Sequence, residues 1–73
     1  MNEFDVVYIA LGEVEARVIA GRLESEGIPT LLKSELGGLV PGGMARVRVL
    51  VPRESVHRAR LLLEGLASTN EEP

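Results

Sequence analysis

The stretch Met44-Ala45-Arg46-Val47-Arg48-Val49-Leu50-Val51-Pro52 alternates residue by residue: Val47, Val49 and Val51 fall on one side, Arg46, Arg48 and Leu50 on the other. That is the period of a β-strand, and its β-branched residues suit a pleated, half-buried surface. A strand with one wholly apolar face needs a layer to bury it. The flanking sequence supplies that layer. Pro52 stops the strand, and a helical pattern runs from about Arg53 to Leu66, with Val56, Ala59, Leu62, Leu63 and Leu66 on one stripe and Leu61 off it.

Upstream, Ile28 to Lys33 reads as another strand. Pro29 lacks an amide donor, so this strand belongs at a sheet edge. Before it, Glu13 to Glu26 carries helical periodicity: Ala16, Ile19, Ala20 and Leu23 form the buried stripe, and Gly27 stands where a left-handed cap is wanted. The opposite side of this helix shows a second seam of Val14, Val18, Gly21 and Ser25. The first strand is Phe4 to Ala10, with Phe4, Val6 and Tyr8 expected on one face and Asp5, Val7 and Ile9 on the other. Both faces are mostly apolar, the mark of a strand covered on two sides.

The order strand, helix, strand, strand, helix has one economical packing. Strands one and two lie parallel, joined by a right-handed crossover, with strand three antiparallel between them and both helices on one face. The expected fold class is α+β, a ferredoxin-like split βαβ with a three-stranded sheet. Its other sheet face is left uncovered, with Arg46, Arg48 and Leu50 beside an apolar set from strand one. That surface is too apolar to stay fully wet, and we expect a second copy or a protein partner to cover it in part.

Composition fits a single small domain. The chain has 73 residues, 45% of them hydrophobic and 26% charged, and no cysteine, which removes disulfides, thiolate metal sites and a thiol nucleophile together. We expect one domain over residues 1–67 and a disordered acidic tail over 68–73. No apolar run approaches the length of a membrane span, and the N-terminus, with Glu3 and Asp5, has no basic leader region, so a cytoplasmic address is expected. The net charge of -3 hides an asymmetry. Residues 46–63 carry five arginines against Glu54 alone, a basic segment inside an acidic protein.

Glu15-Ala16, Ile19, Leu23-Glu24-Ser25-Glu26-Gly27-Ile28-Pro29, the glycine-rich stretch that follows, Val51-Pro52, Glu54 and Arg58-Ala59-Arg60 together resemble the small bacterial family of putative prokaryotic signal-transducing proteins. The similarity spans most of residues 6–63. It implies a fold similar to PII-type nitrogen-signalling proteins and brings no catalytic or ligand residues with it. The chain departs from the family pattern at Arg22, where an apolar residue is frequent, and lacks the zinc-binding C-terminal extension of some members, so no metal is expected.

Three features bear on function. His57, the single histidine, projects away from the apolar stripe with no Asp or Ser partner at helical spacing, so it reads as a surface residue. Ser34 to Gly43 holds Gly37, Gly38, Leu39, Val40, Pro41, Gly42 and Gly43 and sustains neither regular period. It reads as a connector. The alternative is a binding loop, because glycines let backbone amides approach an anion, although no Gly-Lys-Ser/Thr ending follows. In PII-type proteins the equivalent connector touches targets, which makes Leu39 and Val40 partner-contact candidates by that likeness. Finally, Arg46, Arg48, Arg53, Arg58 and Arg60 raise the nucleic-acid question, but a pI near 5.1 and only two aromatic residues argue against it. The sequence therefore points to a regulatory or protein-interaction module without catalysis or cofactor, homodimeric or bound to a protein partner. The alternative is a sensor holding a small anionic metabolite between the glycine loop and Arg46/Arg48; an enzyme subunit comes third.

Overall fold

The computed structural model describes residues 3–34 and 45–70, the last five of these by their backbone alone. The elements are β1 (Phe4–Leu11), α1 (Glu13–Ser25), β2 (Leu31–Ser34), β3 (Arg46–Pro52), a 3-10 turn (Arg53–Ser55) and α2 (Val56–Asn70). The sheet order is β1-β3-β2, and β3 pairs antiparallel with both neighbours. The short, Pro-preceded β2 is an edge, β3 is central, and the fold is α+β and ferredoxin-like, as its sequence pattern demands. No described helix is long and apolar enough to cross a membrane.

Both helices pack on the side of β3 that carries Val47, Val49 and Val51. These three join Ala10, Ala16, Ile19, Leu23, Ile28 and Ala59 in one core, with Val7, Tyr8, Val56, Leu62 and Leu63 packed at its margin. Fully burying a side chain such as Leu23 contributes about 1.5–3 kcal/mol. Leu61 is exposed, in keeping with its place off the stripe, as are Val14, Val18 and Gly21 on the outer seam of α1.

The first strand departs from simple alternation. Val6 opposes Leu50 and Tyr8 opposes Val49, so Val7 is an extra residue with no partner of its own. This bulge reverses the facing of everything after it. Residues directly opposite each other share a face. Tyr8 and Ala10, opposite Val49 and Val47, therefore turn toward the helices, while Ile9 and Leu11, opposite Arg48 and Arg46, turn away. The expected grouping of Phe4 and Val6 with Tyr8 is corrected accordingly. So is the expected cover on both faces, since the described helices lie on one side only.

A single residue, Gly12, links β1 to α1. Its φ of 93° lies where a side chain is strained, and its N–H donates to the Ala45 carbonyl at 3.0 Å. Glu15 then clamps the helix start to the strand: one carboxylate oxygen accepts from the Tyr8 hydroxyl at 2.9 Å, the other from the Leu11 N–H at 2.7 Å. At the far end, Gly27 has φ 84°, the Ile28 N–H reaches the Leu23 carbonyl and the Gly27 N–H reaches that of Glu24. This pattern is a Schellman cap, and its usual apolar contact is made by buried Leu23 and Ile28. The cap also explains why β2 starts late. Ile28 belongs to the helix end, Pro29 has no donor, and Thr30 donates its hydroxyl to Glu24, so the ladder begins at Leu31 rather than Ile28.

Helix α2 also differs from expectation at both ends. Arg53–Ser55 forms a tight 3-10 entry, common at helix starts, in which the Val56 N–H meets the Arg53 carbonyl. The helical backbone continues to Asn70, past the expected helix end at Leu66; residues 71–73 of the expected tail lie outside the described residues.

Gly27→Ala should destabilise the domain by about 1 kcal/mol or more, seen as a Tm fall of about 4–8 °C, because the cost is the left-handed backbone itself; a Cβ there would meet nothing within 4 Å. Leu23→Ala should cost about 2–5 kcal/mol and Leu61→Ala less than about 0.5 kcal/mol in denaturant titration. Glu15 raises the Tyr8 pKa above its usual value, first by accepting the phenolic hydrogen bond, then with help from burial and from its negative charge. The native state thus holds the Tyr8 proton longer than the unfolded chain does, and this contribution to stability, complete below about pH 10, is lost as pH rises through the native pKa. Tyr8 is the only tyrosine and tryptophan is absent, so ultraviolet titration reads it directly. Its midpoint should lie above that of the unfolded chain and fall toward it in Glu15→Ala.

Candidate functional site

The sheet face turned away from the helices is built in rows across the strands. Phe4 opposes Pro52 at one end. Next come Val6, Leu50 and Leu31, then Ile9, Arg48 and Lys33, and finally Leu11 with Arg46. One half of the face is therefore apolar and the other half combines two apolar β1 residues with three cations. Ile9, Leu11 and Leu31 are 50%, 63% and 40% exposed. Leu50 is only 9% exposed, yet it lies on the opposite side from the helix-packed core, shielded within this face.

The described strands bring only cations to the charged half of this face. Lys33 and Arg48 sit directly opposite each other, an arrangement that raises the local positive potential. No acidic residue of the described strands shares that side. Asp5 opposes Val51 and so turns toward the helices, where its carboxylate lies 3.5 Å from Arg53 Nε. Glu3 joins it, at 2.7 Å from the same guanidinium. Such exposed pairs each contribute between about 0 and 1 kcal/mol.

The five arginines thus separate into different tasks. Arg53 ties the start of α2 to the first strand's acids, and Arg58 approaches Glu26 at the end of α1 at 3.5 Å. Arg60 stands beside a shallow hollow of about 260 Å³ lined with Val7, Leu63 and Glu64. Only Arg46 and Arg48 lie on the open face, where the alternation of strand three puts them. They share it with Phe4, Val6 and Leu50 and also with Lys33, Leu31, Ile9 and Leu11, four residues that sequence reasoning missed there. The last two depended on the bulge; the first two needed the register between β2 and β3.

His57 is exposed on α2. Among the described residues no three His, Cys, Asp or Glu side chains come together to hold a metal ion, and no polar or charged side chain is buried. Tyr8, held protonated by Glu15, acts as a hydrogen-bond donor within the fold. The candidate loop residues Gly37, Gly38, Leu39, Val40, Gly42 and Gly43 lie outside the described residues, but the segment containing them leaves from Ser34 and rejoins at Ala45. Both points are at the cationic end of the face, because Ser34 opposes Val47 and Arg46 follows Ala45.

Comparison with the curated proteins and with the solved structures gives no significant match. One family does match, over residues 7–66, a span that takes in α1, β2, β3 and most of β1 and α2. The Glu15 clamp, the Gly27 cap and the cationic face all fall inside it, and the chain belongs to that family, described as putative prokaryotic signal transducing protein.

Proposed function

We propose that the chain is a regulatory interaction module that binds a protein partner through its open sheet face and carries out no catalysis itself. The observation behind this reading is the composition of that face: apolar Phe4, Val6, Leu31 and Leu50 beside Lys33, Arg46 and Arg48, with no carboxylate from the described strands. Such a surface fits an amphipathic acidic segment. Apolar side chains on the partner would cover the Val6/Leu50/Leu31 row, and its carboxylates would meet the cations and steer the encounter. A second copy laid face to face would fit less well, since it would set cationic strands against cationic strands, a like-charge juxtaposition that costs affinity. The family's description as signal-transducing agrees with a module that works by contact.

The connector is part of this proposal. Its start and end at the cationic end of the face support carrying Leu39 and Val40 into the proposal as further partner-contact candidates. The metabolite-sensor alternative draws no comparable support. The cations of the face lie along a strand ladder, and the described hollow is lined by Glu64 as well as Arg60, beside apolar Val7 and Leu63, a poor setting for an anion.

A partner captured from native lysate, identified and purified, should bind more weakly as salt rises. Its Kd should increase at least about tenfold in the Lys33→Glu/Arg46→Glu double variant, which reverses two exposed charges. Glu24→Lys on the helix side should leave the Kd unchanged. Equal binding by the double variant, binding only to anionic vesicles, or a Tm raised by nucleotides or phosphorylated metabolites in place of protein binding would overturn the reading.

A further inference from the structure

The outer edge of β1 is a second, separate surface. Backbone directions follow from two hydrogen bonds at the strand's ends. The Gly12 N–H reaches the Ala45 carbonyl, and the Arg53 N–H reaches the Glu3 carbonyl, so residues 12 and 3 point their backbone groups toward β3. Alternation from each end, with the extra residue at Val7 absorbed between them, turns the backbone groups of Phe4, Val6, Ile9 and Leu11 outward. Leu11 confirms this, because its N–H goes to Glu15 and not to the ladder. No described strand lies beside that edge.

The two edges of the sheet are treated differently. Strand β2 has four residues, follows a proline and carries Lys33, all devices that discourage another strand from pairing. Strand β1 has eight residues and is apolar except for Asp5. Its bulge lies at Val7, and of the outward groups beyond it the Leu11 N–H is taken by Glu15, which leaves the Ile9 N–H and C=O and the Leu11 C=O for a second strand. Beside this edge is the hollow formed by Val7 of β1 with Arg60, Leu63 and Glu64 of α2.

That patch is complementary to itself. A twofold axis pairs residue i of one copy with residue j of the other and j with i. Arg60 and Glu64 are one helical turn apart, so antiparallel α2 helices would bring each Arg60 to the other copy's Glu64 twice over, with Leu63 and Val7 enclosed between them. The same axis makes two β1 strands antiparallel, the orientation in which their outward N–H and C=O groups can pair.

We propose that β1 pairs edge to edge with β1 of a second copy, making one six-stranded sheet with all four helices on one side and the Arg60/Glu64 contacts across the helix layer. The contact uses the edge and not the open face, so it stands or falls separately from the partner-binding reading.

Sedimentation of the full chain at micromolar concentration tests it. The wild type should be dimeric. Ile9→Pro removes an outward N–H without removing a bond to β3 and should weaken the dimer at least about tenfold, while Ile9→Ala, which keeps the N–H, should not. Arg60→Glu should also weaken it at least about tenfold, and Arg60→Glu/Glu64→Arg, which exchanges the charges, should restore it. Circular dichroism checks that Ile9→Pro folds; if it does not, the exposed Arg60 and Glu64 variants decide alone. A monomeric wild type, a dimer indifferent to Arg60→Glu, or one broken instead by Leu31→Asp on the open face would overturn the proposal.

Discussion

The extra residue at Val7 governs how the two sides of this sheet are composed. With unbroken alternation, the second half of β1 would send Ile9 and Leu11 into the helix layer and Tyr8 and Ala10 onto the open face. Ala10 is fully buried, and its methyl group occupies a place beside Val47 where a larger side chain would compete with the helices. Tyr8 must face α1 for its hydroxyl to meet Glu15. One inserted residue satisfies both requirements and, by the same reversal, delivers two large apolar side chains to the cationic end of the outer face. The core and the candidate docking surface are thus two results of one irregularity.

The tight corners on either side of α1 follow the same economy. A one-residue link leaves no slack, so the chain at Gly12 adopts a conformation that suits glycine, and Glu15 secures backbone and side chain together. At the other end the Schellman cap turns the chain directly back toward the sheet, and Ile28 enters the core as part of the turn. Little of the buried surface comes from β2, whose four residues are all exposed. The domain is in effect a two-stranded ladder covered by two helices, with β2 extending its outer face.

How much of this was legible in the sequence depended on whether a signal was local. The alternation of Arg46 to Val51, the stripe of α1 and the glycine at 27 each write their structure within a few residues, and all three elements follow from them. The central place of β3 followed from the limited ways five such elements connect. A bulge is different: Phe-Asp-Val-Val-Tyr-Ile-Ala is apolar on both parities, so nothing in its pattern opposes the insertion or marks its position. The partial site had the same cause. Arg46 and Arg48 were visible because β3 alternates cleanly, whereas Lys33 and Leu31 join them only through a register set by pairing between distant segments. The late start of β2 was hidden because Ile28 looks like a strand residue but is the apolar half of a helix cap. For the connector, a run of glycines states what conformations are open and not which one a partner would select.

The edge and the face, read together, give a physical reason for a chain this small to act as a docking module. A single copy presents four short rows, and a stable, specific interface commonly buries about 800 Å² per partner. Pairing through β1 would place two such faces side by side on one continuous sheet, both turned the same way because the helices of both copies share the other side. The backbone ladder would hold the two faces at a fixed spacing, so a partner with two acidic segments could engage the second after the first at high effective concentration, without any new contact within either copy. The outer edge of β1 would then serve the cationic face of the sheet: assembly enlarges the binding surface, and the charge pattern decides what binds to it.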